Sequence, residues 1–324
     1  MSKVQNSSSD RDPTAGGATS FATTVALASG APATDAGAAK HSPRRRLTAR
    51  LTRRAFLMLL LSAIGVMLML PVWTMVVTAV TPEGIVFAQG SRLWPAQFSR
   101  ENFDELSRHF PFLRWYWNSL LTASLFTLGQ LFSCSLTAFG LSFFRFRGRE
   151  VLLVIVLATM MLPFQVLMVP LFWLIKSLQL TNSLTALWLP AFFGDVTGAF
   201  GIFLLRQAFL QIPRDLAEAA VMDGANPATI FVRIYLPLVT PFLAVLTVFS
   251  FMTSWNDFVR PIVYITEITN MTVTGGLSFF QTQFHVSWGP LMAGALAAMA
   301  PTLCLYVVAQ RYFIRMAVAT GLKG

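Results

Sequence analysis

Six apolar segments, each long enough to cross a lipid bilayer, constrain the fold of this chain more than any other feature. A membrane-spanning helix needs about 20 consecutive, mainly apolar residues. The six segments cover approximately residues 55–80, 119–144, 151–175, 184–205, 238–263 and 290–313. The sequence therefore predicts an all-α, polytopic membrane protein with six transmembrane helices.

The composition agrees with a chain whose main solvent is lipid. Hydrophobic residues make up 55% of the chain and charged residues only 12%, with a mean hydropathy of +0.62. A soluble domain carries about 25% charged residues. Several prolines lie inside predicted spans, and we expect kinks at four of them because proline removes a backbone donor. These kinks are expected at Pro71, Pro163, Pro170 and Pro301.

The first 54 residues differ in composition from the rest of the chain. They are rich in Ser, Thr, Ala, Gly and Pro and end in the basic run RRRLTARLTRR. Such a segment buries too little apolar surface to order itself. We predict a disordered, basic, cytoplasmic N-terminal tail over residues 1–54 and a membrane domain over residues 55–324. The first apolar run is too long for the core of a cleaved signal peptide.

The distribution of Lys and Arg predicts the orientation in the membrane. With the N-terminus in the cytoplasm, eighteen basic residues fall on the cytoplasmic side and six on the outer side, Arg260 among these six. Cytoplasmic loops carry the excess of Lys and Arg in membrane proteins. Both termini are therefore predicted to be cytoplasmic. The net charge of +10 is explained by topology, without a nucleic-acid partner.

The loop between the fourth and fifth segments carries two helix signals in succession. Residues Arg214–Met222 form a good helix sequence, and Gly224 permits a chain reversal. Asn226 followed by Pro227 is typical of a helix start, with Asn as the cap and Pro at the first helical position. A second helix is expected over residues 228–235. The sequence predicts a helix–turn–helix that projects into the cytoplasm.

This helix–turn–helix has two interpretations from its residues alone. Its first helix offers Leu216, Ala219 and Ala220 as small or apolar contacts, with the single charge of Glu218 beside them. That pattern favours a knob that docks in a cleft of another protein. The alternative is a soluble connecting loop, although typical connections are only about 4–6 residues long.

The same residues resemble the EAA loop of ATP-binding-cassette importer permeases. The family pattern of EAA, three residues and Gly is matched by Glu218-Ala219-Ala220 and Gly224. Further matches are similar to the carbohydrate-type branch, typified by the second maltose permease subunit, and the resemblance runs from the first span to the C-terminus. These are NSL at residues 118–120, RFRGR at 145–149, LPFQVLMVPLF at 162–172, SWNDFVRPIVYI at 254–265 and the ending QRYFIRMAVATGLKG.

The resemblance implies how the chain works and with what. Residues 55–324 would be the permease domain, and Glu218, Ala219, Ala220, Asp223 and Gly224 would form the coupling helix held by the ATPase. A C-terminal contact with the ATPase is implied for Lys323 and Gly324, where ATGLKG departs from the usual AGAVKG. The implied partners are a second homologous permease subunit, an ATPase dimer, an extracytoplasmic solute-binding protein and lipid. The chain would lie in the bacterial cytoplasmic membrane.

The expected function is import of a sugar or a sugar-like polyol by alternating access. No GxxxxGK[ST] motif is present, so we expect this chain to bind no cofactor, with ATP and Mg on the partner ATPase. An importer of a phosphorylated polyol such as glycerol phosphate is the alternative, and it would want a basic residue facing the cavity. An ion-coupled secondary transporter should show internal repeats and mid-membrane ionisable pairs, and we find neither pattern in the sequence. The catalytic motifs that a membrane-bound enzyme would need are absent from this sequence.

Three polar or amphipathic residues in the fifth predicted span form a second candidate site. A buried acid in a membrane is expensive and points to function by default. Trp255, Asn256 and Asp257 are therefore expected either to line the translocation path or to brace neighbouring helices. Asp195, at the end of the fourth span, is expected at the water interface. No metal site is predicted.

Overall fold

The structure is a computed structural model that describes residues 43–86, 94–95, 97–281 and 286–321, with the backbone alone for 43–52, 86, 196 and 311–321. The described part is helical and has no named strand, and a single bridge pairs Gln281 with Val286. This confirms the all-α membrane fold class. Of the predicted tail, residues 1–42 lie outside the described residues. The first helix begins at Pro43, so it includes the basic run that precedes the first apolar segment.

The α-helices of the described residues are numbered in chain order. They are α1 (Pro43–Ala79), α2 (Glu83–Val86), α3 (Glu101–His109), α4 (Phe112–Phe143), α5 (Arg149–Thr159), α6 (Phe164–Ser177), α7 (Thr185–Trp188), α8 (Ala199–Leu210), α9 (Arg214–Met222), α10 (Pro227–Ile230), α11 (Leu236–Leu238), α12 (Thr240–Trp255), α13 (Val259–Tyr264), α14 (Val273–Gly276) and α15 (Trp288–Gly321). Short 3₁₀ helices cover Leu189–Phe193, Val196–Gly198, Ile268–Asn270 and Leu277–Phe280, and a π-helix covers Phe231–Tyr235.

The chain divides into two compact units, residues 1–61 and residues 62–324. In the first unit, the described side chains of residues 53–61 are exposed. In the second unit, the continuation of α1 over residues 62–70 also carries exposed apolar side chains. An exposed helix of this composition is stable when its outer surface meets lipid.

The second unit is built around α4. This helix packs against α8, α12 and the 3₁₀ helix Leu189–Phe193, and α12 packs in turn against α15. Many of the buried residues of α4 are small or hydroxyl-bearing, among them Thr122, Ala123, Ser133 and Ala138. Small residues allow close approach of helices in membranes, where lipid removes most of the hydrophobic driving force between them.

The helices that are long and apolar enough to cross a membrane agree with only part of the predicted six spans. By length and composition they are Arg53–Ala79, Phe112–Phe143 and Trp288–Gln310, or up to five spans if two bent helix pairs each count as one. One pair joins α5 to α6 at 100°, and the other joins residues 227–238 to α12 at 81°. The six-span count stays a prediction.

The fourth predicted span is broken into short pieces. It consists of α7, the two 3₁₀ helices between residues 189 and 198, and the 12-residue α8. Pro190 removes a backbone donor, and Gly194 takes a left-handed conformation with φ of 83°. A proline also marks the bend of the third predicted span, because Pro163 precedes α6. Pro71, Pro170 and Pro301 lie inside α1, α6 and α15.

Candidate functional site

The turn after α9 has the local geometry that the sequence predicts. Helix α9 covers Arg214–Met222, and Gly224 follows in a left-handed conformation with φ of 79°. The side chain of Asn226 accepts a hydrogen bond of 2.8 Å from the backbone N–H of Thr229. Pro227 is the first residue of α10. Residues 214–230 are called the α9 loop below.

One face of α9 packs on the protein and the other is exposed. Ala217 is buried, and Ala220 is half-buried against the core cluster that contains Ala217. Leu216, Glu218 and Met222 are exposed, Met222 to 86%. Ala219 and Gly224 are exposed as well, as is Asp223. The outer face therefore combines apolar side chains with the carboxylate of Glu218, and Ala220 belongs to the packed side instead.

Glu218 has no salt bridge within the described part of the chain. The ion pairs found there involve other carboxylates, for example Glu150 with Arg206. Glu218 lies instead on the rim of a cleft of about 540 Å³, together with Arg145, Arg214 and Met222. A long, exposed carboxylate beside a cleft is available for a partner cation.

The buried side of the α9 loop rests on a cluster of aromatic rings. The ring of Phe139 in α4 lies 5.0 Å from that of Phe231 and 5.1 Å from that of Tyr235. Phe209, near the end of α8, lies 5.4 Å from Tyr235. Edge-to-face and tilted contacts at such distances stabilise beyond simple burial. Through these rings the α9 loop is packed against α4 and α8.

A salt bridge holds the neighbouring helix ends together. Arg206 in α8 donates a hydrogen bond of 2.7 Å to Oε1 of Glu150 in α5, and the Arg206 side chain is only 8% exposed. A charge-assisted contact of this length is among the stronger hydrogen bonds in proteins. It ties the start of α5 to the helix that leads into α9.

The structure separates the three residues of the second candidate site. Trp255 is buried and donates a hydrogen bond of 3.0 Å from its indole to the carbonyl of Ala298 in α15. Asn256 is exposed and bonds back to the Met252 carbonyl of its own helix at 2.9 Å. Asp257 accepts hydrogen bonds from the backbone N–H and the guanidinium of Arg260. Of the three, Asp257 alone joins the ionic contacts described next.

Arg260 joins two carboxylates that come from distant parts of the chain. Its Nε donates to Asp257, and its Nη1 donates to Oδ2 of Asp195 at 3.2 Å. The side chains of Arg260 and Asp195 are each 11% exposed. The guanidinium carbon also lies 5.0 Å from the ring centre of Phe126 in α4. Asp195, expected at the water interface, and Arg260, counted with the outer loops, are therefore members of one partly buried cluster.

Hydrogen bonds extend this cluster into α4. Thr197 donates to Oδ2 of Asp195 at 3.1 Å, and Gln130 donates to the Thr197 hydroxyl at 3.0 Å. The thiol of Cys134 lies 3.3 Å from Oε1 of Gln130. The set Gln130, Thr197, Asp195, Arg260 and Asp257 is called the polar chain. The sequence offers no local signal for it, because its members are up to 130 positions apart along the chain.

The polar chain forms one wall of a cavity of about 400 Å³, called the Arg260 cavity. Its polar lining comes from Asp195, Thr197, Asp257 and Arg260, with Thr253 beside them. The remaining lining is apolar. It consists of Met160, Leu162, Phe164, Phe200 and Val259. Within the described residues, no group of three His, Cys, Asp or Glu side chains is placed to hold a metal ion.

Comparisons with known proteins place this architecture in a family. Residues 131–317 match the family described as binding-protein-dependent transport system inner membrane component. The arabinooligosaccharides transport system permease protein AraQ of Bacillus subtilis (strain 168) is 30% identical over 288 residues, which is 88% of this chain and 99% of that protein. The sn-glycerol-3-phosphate transport system permease protein UgpE of Escherichia coli (strain K12) is 30% identical over 76% of this chain and 90% of its own length.

A solved structure has the same fold. The crystal structure of a bacterial ABC transporter involved in the import of the acidic polysaccharide alginate aligns with a TM-score of 0.70. The alignment covers 84% of this chain and 99% of that chain, at 22% sequence identity. The chain therefore belongs to the family of binding-protein-dependent transport system inner membrane components, the permease subunits of ATP-binding-cassette importers, which are transport components and not enzymes.

Proposed function

We propose that this chain is one of two related permease subunits of an importer for a sugar or a sugar-like polyol. Its partners are a homologous permease, an ATPase dimer that binds ATP and Mg, and an extracytoplasmic solute-binding protein. Support comes from the family description and from a relative over 88% of this chain whose name specifies arabinooligosaccharides. Transport proceeds by alternating access, driven by the partner ATPase.

The single observation that carries this proposal is the exposed face of α9. Leu216, Ala219 and Met222 present apolar surface around the carboxylate of Glu218, which has no ion pair within the described residues. Exposed apolar groups around a charge are typical of a docking patch. The face fits a cleft of the ATPase, with Glu218 paired to a basic side chain there. Asp223 and Gly224 complete the contact by turning the chain away from it.

The packed face of α9 gives this contact a mechanical consequence. Ala217 and Tyr235 belong to the same core cluster as Phe139 of α4 and Phe209 of α8. When the ATPase dimer closes and moves α9, the cluster moves with it as a unit. The stroke then reaches α4, which packs against α8 and α12.

The orientation is part of the proposal. The excess of Lys and Arg supports a cytoplasmic location for both termini and for the α9 loop. The C-terminal contact of Lys323 and Gly324 with the ATPase is also proposed, and these residues lie outside the described part of the chain. A cytoplasm-active reporter fused after Lys323 should give signal, and silence with normal expression would contradict this orientation.

An importer of a phosphorylated polyol is a second candidate because of Arg260. A relative over 76% of this chain carries sn-glycerol-3-phosphate in its name, and such a solute calls for a basic residue at the cavity. Arg260 does line the Arg260 cavity, but Asp195 and Asp257 both pair with it. A guanidinium already held by two carboxylates is a poor phosphate site, so the geometry favours a neutral solute.

The test of the proposal is a charge reversal on α9 in the complete transporter. Glu218→Lys should abolish ATP-dependent uptake and co-purification of the ATPase, while the permease remains in the membrane. Glu101→Lys reverses an equally exposed carboxylate in α3 and serves as the control, with uptake expected to stay normal. Normal uptake by Glu218→Lys would refute the coupling role.

A further inference from the structure

We infer that the Arg260 cavity is a solute subsite that accepts neutral, hydroxyl-rich molecules and rejects anionic ones. This inference rests on the proposed importer function and adds to it the place in this chain where the solute is bound. It also assigns residues, because the polar wall of Asp195, Thr197, Asp257 and Arg260 would contact the solute.

The cavity lies where three helices are broken. Met160 and Leu162 lie in the break between α5 and α6, Asp195 lies in the break before α8, and Asp257 lies in the break between α12 and α13. Discontinuous helices of membrane transporters form solute sites, because irregular backbone is tolerated in a membrane only where it is buried in protein or lines a cavity. Three breaks that meet at one cavity are the arrangement expected of such a site.

The charge of the polar wall disfavours anionic solutes. Two carboxylates face one guanidinium, so the wall carries a net charge of −1 with all three groups ionised. A phosphate ester adds about −1.5 to −2 at neutral pH and is repelled. A sugar hydroxyl, in contrast, donates to carboxylate oxygens, and hydrogen bonds to ionised acceptors are the strong ones.

Two carboxylates and one aromatic ring hold Arg260 in place. Its Nε donates to Asp257 and its Nη1 donates to Asp195, and its guanidinium carbon lies over the ring of Phe126. Arg captures phosphate through a planar pair of donors that both face the ligand. Here Nε and Nη1 already donate to carboxylates, so Arg260 orients these two acceptors toward the solute and does not capture an anion itself.

The rest of the cavity lining is apolar. Phe164 and Phe200 line the cavity together with Met160 and Leu162. A site with mainly apolar lining, a few fixed polar groups and a volume of about 400 Å³ has the properties of a small-molecule site. Sugars present both C–H faces and hydroxyl edges, and this cavity offers a complement to each.

A purely structural role for the polar chain is the competing explanation. A buried ion pair stabilises no better than apolar side chains of equal volume in many proteins, so bracing alone does not account for three charges. A bracing cluster would leave cysteine labelling in the cavity unaffected by the transported solute. The solute-protection experiment below uses that difference.

The experiment measures the reactivity of a cysteine placed in the cavity of the complete transporter in lipid nanodiscs. Thr253→Cys is made together with Cys304→Ser, because Cys304 is exposed and Cys134 is buried. The labelling rate is measured with a cationic trimethylammonium methanethiosulfonate and an anionic sulfonate analogue. Focusing of a charged cleft changes such rates tenfold or more. We expect the cationic reagent to react about tenfold faster.

Charge variants then test the cause of that preference. Asp257→Asn should bring the two rates close together, and Asp195→Asn/Asp257→Asn should favour the anionic reagent. Thr197→Val leaves the charge unchanged and should leave the ratio unchanged. Thr247→Cys lies on the same helix outside the cavity lining and should show no response to these variants. An unchanged ratio in Asp257→Asn overturns the inference, and this single variant suffices where the double variant does not assemble.

Solute protection separates this inference from the proposed function. Arabinotriose, lactose and sn-glycerol-3-phosphate are each tested for ATP-dependent uptake and for slowing of Thr253→Cys labelling. We expect a transported neutral sugar to slow labelling at least about threefold, and Thr197→Val to weaken this protection. Uptake of sn-glycerol-3-phosphate with protection by it alone overturns the inference and leaves the importer function intact. Absence of ATP-dependent uptake of any probe counts against the proposed function, while the reagent ratios still test the cavity.

Discussion

The α9 loop and the polar chain use charged side chains in opposite ways. Glu218 is exposed on the outer face of α9 and has no ion pair among the described residues. Arg260 is buried and engages two carboxylates at once. An exposed charge that is available to a partner protein costs little free energy, because water hydrates it. A charge inside a membrane protein is stable only when it is paired. The difference separates the proposed docking surface from the proposed internal site.

The largest expected effect comes from removing both carboxylates of the polar chain. Asp195→Ala/Asp257→Ala leaves Arg260 buried and unpaired, and loss of a buried partner costs about 3–5 kcal/mol. The midpoint of thermal unfolding of the permease, purified without the ATPase, should fall sharply. The matched double variant Asp215→Ala/Glu218→Ala removes two exposed carboxylates of α9 and should leave that midpoint unchanged. Equal loss in both variants would break the contrast between the two regions.

A smaller loss is expected where α8 packs against α4 beside the polar chain. A Cβ added at Gly201 would lie 2.8 Å from Leu246 Cδ1 and 2.9 Å from Cys134 Sγ. Overpacking of this kind costs about 1–3 kcal/mol. Gly201→Ala should therefore lower the unfolding midpoint. Gly140→Ala is the control, since nothing lies within 4 Å of its added Cβ. An unchanged unfolding midpoint in Gly201→Ala would show that this interface is loosely packed.

The turn of the α9 loop should respond to backbone conformation alone. Gly224 has φ of 79° and open space around its Cα, so Gly224→Ala introduces strain without a clash. The left-handed region costs a non-glycine residue about 1–2 kcal/mol. Hydrogen exchange of residues 214–230 should rise, with less effect in Gly224→Asn because Asn tolerates this region. Equal protection in all three proteins would contradict a left-handed turn.

The smallest effect is expected at the cap of α10. Asn226→Ala removes the 2.8 Å hydrogen bond to the N–H of Thr229 and should cost about 1 kcal/mol. Asn226→Ser keeps a capping oxygen and should retain most of the stability. Local hydrogen exchange of α10 measures both. A loss in Asn226→Ser equal to that in Asn226→Ala would assign the role of Asn226 to something other than its cap.

The two regions also differ in how far the sequence predicts them. The bounds of α9, the turn at Gly224 and the cap at Asn226 depend on neighbouring residues, so their signals lie within about one short stretch of chain. The pairing of Asp195 with Arg260 spans 65 positions, and that of Gln130 with Thr197 spans 67. Such contacts depend on how broken helices pack, and no local pattern encodes that arrangement. The continuous fourth span was expected for the same reason, because hydropathy does not register the effects of Pro190 and Gly194.

The central claim is that the exposed face of α9 contacts the ATPase, and a site-specific cross-link tests it most directly. A photoreactive phenylalanine analogue is placed at Met222, which is 86% exposed, or at Phe98, which is 81% exposed and precedes α3. The complete transporter is illuminated in membranes and the products are identified by mass spectrometry. We expect a covalent permease–ATPase product from position 222 and none from position 98. A product from position 98 alone, or from neither position in an ATPase-containing complex, would contradict the account.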